Sequence, residues 1–371
     1  MTGRSLVRLE KDQRDSLNKS IHAGVIDHLD GTPVGHPLGE GLVTDDGRLV
    51  YRSDDGILAL LPELAIPLAG EVALEQPSAH EAKRVVRTFY EEFGWKKEGD
   101  LYLDTLTFVD TRPLSLEHLA RCHRRIGREL PASGRFVLDA ASGPVQFPEY
   151  RRLSDPFDFR VCIDFSVRAL REAQSNLGDR GLYLLGDVTR LPLRDGSMDA
   201  ALSLHTIYHV PAEQQAAAFL ELHRVLRAGG TAVVVYEWGR RRRVRGAAGK
   251  VRRVLAAASS DRVQDGKPDA SGPPSLYAHK HTHRWFEGKE WPFSYEIRVW
   301  RSVRSSFLRR FVHERISAGR LDLLYYLEER APEFAGRFGS FPMIVIQKRP
   351  RYGPALAGRR KLAAAARAEV A

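Results

Sequence analysis

Phe136-Val-Leu-Asp139-Ala-Ala-Ser-Gly143-Pro144 is the stretch that decides the fold. A short apolar strand delivers an acid, and a turn of small residues comes at once after it. Such a turn lets backbone approach a ligand at the carboxyl edge of a parallel sheet. An ordinary strand-end turn would look the same in isolation, so the spacing of the next two strands matters. Twenty-five residues on, Arg160-Val-Cys-Ile-Asp164 ends a second apolar strand with another acid. A carboxylate there can accept both hydroxyls of a ribose. Leu184-Leu-Gly186-Asp187-Val188 then ends a third strand. Asp187 is placed to accept an adenine amine, with Val188 against the ring. A helix N-cap would account for Asp164 alone, but not for three acids at three successive strand ends. A pyrophosphate would call for basic and amide donors, and no GxGxxG occurs. The pattern therefore points to a nucleoside ligand without phosphates.

Around this core, strands are expected at 135–140, 159–164, 182–185, 200–204 and 231–238. Helices are expected at 166–177 and 211–226, where apolar residues recur at i, i+3, i+4. Alternation at this spacing argues for a doubly wound α/β sheet. Upstream, residues 1–70 read as a small β module, with hairpin signals at Asp46-Gly47 and Asp55-Gly56. Residues 71–130 read as a helical cap, with helices at 78–93 and 114–130. Ser78 and Glu81 have capping-box spacing. Residues 131–238 form the ligand-binding core. Residues 239–275 are a basic insert and turn-rich linker. Residues 276–349 return to order, with a strand at 295–299, helices at 305–316 and 321–329, and a buried strand at 341–347. Residues 350–371 are an Ala/Arg tail.

Residues 134–238 resemble the class I S-adenosylmethionine-dependent methyltransferases. VLDAASG (137–143) stands where that family has its glycine loop, VCIDFS (161–166) where it has the ribose-binding acid, and GDVTRLPLRDGSMDAALSLHTIYHV (186–210) where it has the adenine-binding acid and fourth strand. LHRVLRAGGTAVVV (222–235) matches the leader into the fifth. The resemblance implies a Rossmann-like fold with S-adenosylmethionine as cofactor. It implies that Asp139, Ala141, Ser142 and Gly143 line the methionine moiety, that Phe165 flanks the adenine, and that Leu204 and His205 lie where acceptor and methyl donor meet. It also implies that Tyr90, on a helix lidding the cofactor, touches the methionine carboxylate; a core aromatic is the other reading. The loop departs from the family at Ala141, which replaces the first glycine, and at Pro144-Val145. Pro144 and Pro148 also shorten the next helix. Gly41–Pro62 resembles a Trm112-like, zinc-ribbon-like domain, but its HLDGTPVGHPL stretch lacks the paired cysteines, and His28 and His36 alone do not complete a metal site.

Methyl transfer from a sulfonium needs alignment above all. A base is needed where the acceptor is a hydroxyl or protonated amine. His205, Tyr208 and His209 cluster after the fourth strand, in place for that role. His279, His281 and His283 alternate, which would give an extended chain one histidine face, and Trp285 and Trp291 come next as pocket-wall candidates. No metal is expected.

The chain has 371 residues, 43% of them hydrophobic, and a formal charge of +10. That is core enough to exclude a disordered chain. Two cysteines, Cys122 and Cys162, exclude a disulfide framework. The opening residues lack an apolar signal region and no segment reaches 18 apolar residues, so a cytoplasmic protein is expected. Most of the 57 basic residues are arginine, and Arg240–Arg253 concentrates them. That insert suits a polyanion or membrane surface as well as it suits a solvated helix. The leading function is methyl transfer to a small-molecule, lipid or glycan acceptor. An RNA methyltransferase acting on ribose or base is the alternative, and a non-catalytic cofactor-binding scaffold a further one.

Overall fold

A computed structural model of the chain describes residues 5–24, 26–68, 81–239, 276–312 and 318–349. In chain order its elements begin with β1 (Leu6–Arg8), α1 (Lys11–His22), β2 (Glu40–Thr44), β3 (Leu49–Asp54), β4 (Ile57–Ala59) and β5 (Ile66–Pro67). The cap comes next, with α2 (Glu81–Phe89), a π-helical turn at Tyr90–Gly94, β6 (Lys97–Glu98), β7 (Leu101–Tyr102), α3 (Leu103–Phe108) and α4 (Pro113–Gly127). The core comprises β8 (Gly134–Ala140), α5 (Pro148–Arg151), β9 (Phe157–Asp164), α6 (Val167–Leu177), β10 (Gly181–Leu185), β11 (Met198–Leu204), α7 (Gln215–Val225) and β12 (Leu226–Val235). The rest is α8 (His283–Glu287), β13 (Ser294–Arg301), α9 (Ser305–Phe311), α10 (Ala318–Arg330), α11 (Pro332–Phe338) and β14 (Phe341–Gln347).

The large sheet runs β1-β2-β3-β4-β10-β9-β8-β11-β12-β14-β13, with β5 paired to β3. From β4 to β12 neighbouring strands are parallel. β14 is antiparallel to both its neighbours. The order reverses between β8 and β11, so the switch-point crevice lies outside their carboxyl ends. Two apolar layers cover the sheet. One face packs Leu119, Ile126 and Leu170 of α4 and α6; the other packs Phe219 and Leu222 of α7 and Phe286 of α8. This is the doubly wound α/β architecture that the sequence implies.

The amino-terminal hairpins form as their turn residues require. Gly47 (φ 72°) turns β2 into β3, and Asp55 and Gly56 (φ 51° and 79°) turn β3 into β4. Asp and Gly are the residues that tolerate this left-handed backbone. β4 then lies parallel to β10, so this meander extends the central sheet. Several elements depart from the expected pattern, among them β6, β7 and α3 between the two expected cap helices. α1 occupies a stretch read as part of a β module, α11 lies where no element was expected, and α8 begins at His283, inside the expected histidine-bearing extended run. The helix after the glycine-loop equivalent is one turn, Pro148–Arg151, with proline at its start. Ser78, the insert 240–253 and the tail 350–371 lie outside the described residues.

One buried charge pair ties the core together at this edge. Asp139 at the end of β8 accepts from Arg160 Nε (2.9 Å) and Nη2 (2.6 Å), and from Tyr150 Oη (2.5 Å). Both side chains of the ion pair are fully buried. Removing one partner leaves the other charge uncompensated in the core. Asp139→Ala is therefore expected to cost about 3–5 kcal/mol of stability. Urea denaturation checks this, and a loss below about 1 kcal/mol would show that the pair is not structural.

Candidate active site at the carboxyl edge of the sheet

After β8 the backbone reverses sharply. Ala141 (φ 59°), Gly143 (φ 56°) and Val145 (φ 52°) are all left-handed. A side chain in this region costs roughly 1–2 kcal/mol, so non-glycine residues persist only where their surroundings hold them. The hold is visible. The Ala141 and Ser142 amides donate to the Ile163 carbonyl (2.6 and 3.2 Å), and the Gly143 amide donates to Asp164 Oδ2 (2.9 Å). Ala141 thus adopts the conformation that a glycine would take at the first position of such a loop. A Cβ on Gly143 would meet the Trp95 ring at 3.1 Å, so the absence of a side chain there lets the indole settle on the loop.

The three strand-end acids have different surroundings. Asp164, at the end of β9, accepts from the Gly143 and Ser166 amides, both at 2.9 Å. Burial nevertheless raises its pKa to about 6. Asp187 accepts from the amide and hydroxyl of Thr189 (both 2.8 Å) and from Lys83 Nζ on α2 (2.5 Å). Val188 beside it is buried, and Phe165 is packed against the α4–α6 core. Asp139 is different: its carboxylate points into the core, and both oxygens are taken by Arg160 and Tyr150. The structure therefore brings Asp164 and Asp187 to the crevice and gives Asp139 to the framework. Asp139 can contribute there through backbone position, not through its carboxylate.

The cap closes over this edge at three points. Lys83 meets Asp187, Glu91 Oε1 accepts from the Val167 amide (2.5 Å), and the Tyr102 hydroxyl donates to Glu172 (2.8 Å). Tyr90 stacks on Trp95 (centroids 4.9 Å apart, 18° between planes) and meets His209 edge-on at 6.3 Å. The Trp95 Nε1–H is buried without a hydrogen-bond partner.

Beyond the end of β11 lies a second group. His205 is left-handed (φ 59°). Its ring meets Trp300 edge-on at 4.5 Å and Phe341 at 5.3 Å. Burial, with the Arg301 charge nearby, holds its pKa well below the usual histidine value. His209 Nδ1 lies 2.7 Å from the Tyr277 carbonyl, so Nδ1 donates and Nε2 is left as the acceptor. Burial lowers its pKa to about 4. Burial raises the Tyr208 phenol well above its ordinary value, with Glu237 adding to the shift, so it remains a donor. Asp104 on α3 adds an acid that the sequence did not single out. Burial raises it to about 7, close to the value a general base needs near neutrality.

The remaining candidates serve packing. His281 stacks face to face on Trp285 (3.8 Å, 1°), His279 meets His281 at 4.6 Å, and His283 meets Phe338 at 5.5 Å. Trp291 packs between Phe286 and Phe293. His28 Nδ1 contacts the Leu64 carbonyl at 2.8 Å, and His36 contacts Arg52 at 2.6 Å. Cys122 and Cys162 are buried free thiols. Among the described residues no helix is long and apolar enough to cross a membrane.

Residues 138–234 match the family model described as a methyltransferase domain. This part of the chain is similar to methyltransferase domains. An uncharacterized chloroplastic methyltransferase of Arabidopsis thaliana is 30% identical over 111 residues, covering 28% of this chain and 31% of that protein. A demethylmenaquinone methyltransferase of Roseiflexus sp. is 34% identical over 102 residues, covering 27% of this chain and 42% of that one. The chain thus matches less than half the length of these curated relatives. Among solved structures, Haemonchus contortus phosphoethanolamine N-methyltransferase 1, in complex with phosphoethanolamine and S-adenosylhomocysteine, aligns with a TM-score of 0.47 at 12% identity, covering 73% of this chain and 50% of that one. The DhpI–SAH complex aligns with a TM-score of 0.43 at 17% identity, covering 74% and 100%.

The loop geometry makes a direct prediction. Ala141→Gly relieves the left-handed alanine but adds freedom to the unfolded chain. The net expected gain is about 0.5–1 kcal/mol. It is read as a raised thermal midpoint; a lowered midpoint would show that Ala141 is not strained.

Proposed function

We propose that this protein is an S-adenosylmethionine-dependent methyltransferase acting on a small-molecule, lipid or glycan acceptor. The observation that carries this reading is the placement of Asp164 and Asp187 at adjacent strand ends, beside a left-handed loop and beneath an aromatic cap. These residues fit the cofactor. Asp164 holds the ribose hydroxyls. Phe165 flanks the adenine, with Val188 packing on the ring, and the remaining acceptor capacity of Asp187 reads its amine. The loop Ala141–Gly143 presents backbone to the methionine, and Tyr90 and Trp95 roof the site. When bound, S-adenosylmethionine supplies an electrophilic methyl group. The chain supplies alignment and exclusion of water around Leu204 and His205. An acceptor proton passes to a group that is neutral or ionised as required: His205 and His209 are held neutral, and Asp104 titrates near 7. Tyr208, kept protonated, orients the acceptor as a donor.

Enclosure favours a compact acceptor over a nucleic acid. The rings that meet His205 are Trp300 and Phe341, both buried inside the fold. The arginine-rich segment that would favour RNA or a membrane surface lies outside the described residues. In this reading the amino-terminal meander is a cysteine-free counterpart of a Trm112-like ribbon.

Calorimetry tests the cofactor assignment. S-adenosylmethionine and S-adenosylhomocysteine are expected to bind the wild type, and Asp164→Ala to weaken both roughly a hundredfold, the loss of two charge-assisted hydrogen bonds. Equal binding by this variant would refute the assignment. The pKa of Asp164 sets the pH dependence. The ribose hydroxyls donate to the ionised carboxylate, so affinity should be flat above pH 7 and fall as pH drops through about 6. The loss by pH 5 is about tenfold. Affinity that rises on acidification would show that Asp164 does not hold the ribose.

A further inference from the structure

Arg301, the last residue of β13, is more than nine-tenths buried. Its guanidinium lies over the ring of Phe341 at 4.6 Å and near that of Trp300 at 5.2 Å. Those are the two rings that meet His205. Its Nε is buried with no hydrogen-bond partner, and among the described residues no carboxylate forms an ion pair with it. A buried charge in this state costs several kcal/mol, and an arginine cannot shed its proton to escape that cost.

The neighbouring acids are already committed. Glu237 lies between Lys280 (2.7 Å) and Arg304 (2.6 Å). Glu328 is held by Arg125 (2.6 Å) and by the Ser302 amide (2.8 Å). Glu329 pairs with Arg125 and Arg128. Around Glu237, three cations thus face one anion. The rings of His123, His205 and His209 are all held neutral, as burial in a positive field requires. The imbalance sits on the acceptor side of the site, beside the strand end where methyl transfer takes place.

We propose that Arg301 is the anchor of an oxyanion subsite, so that the methyl acceptor carries a carboxylate or phosphate group. This rests on the methyltransferase reading above and narrows its acceptor class. The guanidinium fork matches either oxyanion with two parallel hydrogen bonds. The aromatic rings beside it fix the fork's plane and exclude competing water. With the anion seated at Arg301, the rest of the acceptor extends past Phe341 and Trp300 toward His205.

The test uses the full chain, with and without saturating S-adenosylhomocysteine. Inorganic phosphate and benzoate are titrated by calorimetry at constant ionic strength, with chloride as the balancing salt. Saturable binding of at least one is expected; phosphate alone identifies a phosphoryl acceptor and benzoate alone a carboxylate acceptor. Arg301→Met should weaken that binding by roughly ten- to a hundredfold, as loss of charge-assisted hydrogen bonds predicts. The same variant should still bind S-adenosylhomocysteine, and its ligand-free thermal midpoint should rise, because an unpaired buried charge has been removed. Arg301→Lys should retain part of the anion affinity. The proposal is overturned if neither probe binds, if Arg301→Met binds the probe as the wild type does, or if Arg301→Met lowers the midpoint, which would mean that the chain itself neutralises Arg301. Failure of the wild type to bind S-adenosylhomocysteine would instead overturn the methyltransferase reading.

Discussion

The fully buried pair between Asp139 and Arg160 is the constraint that shapes the site. Asp139 sits opposite Cys162 in the β8–β9 ladder, and Arg160 lies two residues before Cys162 on the same face. Neither charge tolerates burial alone, so this register is the one that keeps them together. Tyr150 on the one-turn α5 donates to the same carboxylate, which fixes where the chain returns after the loop. With both ends held, the segment between them has little freedom. It absorbs the reversal in the left-handed residues Ala141, Gly143 and Val145. The amide of Gly143 then points at Asp164, so the framework pair sets the position of the acid in the crevice.

The site divides electrostatically. The half formed by β8, β9 and β10 presents carboxylates to the crevice and is crossed by one lysine from the cap. The half formed by β11, β12 and β13 presents histidines, aromatic rings, the buried Arg301, and Lys280 and Arg304 paired with Glu237. In the reading proposed above, a methyl donor bearing a sulfonium and ribose hydroxyls occupies the first half and an anionic acceptor the second. The chain's net charge of +10 bears on this only locally, through a few cations such as Arg301 and Lys280 beside the proposed acceptor side.

The core of this arrangement was legible in the sequence because it depends on local pattern. The apolar strands ending in Asp139, Asp164 and Asp187, and the small-residue turn between the first two, are read from adjacent residues. The hairpin turns at Asp46-Gly47 and Asp55-Gly56 come from backbone sterics. What escaped depends on distant partners. Nothing near Asp139 announces that its carboxylate is consumed by Arg160, since a strand-end acid looks the same whether it faces core or crevice. Lys83 reaches Asp187 across 104 residues of sequence. Arg301 acquires its meaning from Phe341 and His205, which only the sheet order brings beside it. The short helix at His283 defeated a reading based on alternation, because two alternating histidines before it do not fix what the third does.

In the arrangement proposed above, the cofactor lies over the ends of β8, β9 and β10, beneath the Tyr90–Trp95 cap. Hydrogen–deuterium exchange of the full chain, with and without S-adenosylhomocysteine, is the sharpest test of that placement. Added protection is expected at 141–143, 164–166 and 187–189, together with residues 90–95. Protection confined to other parts of the sheet, or none on a ligand that calorimetry shows to bind, would contradict it.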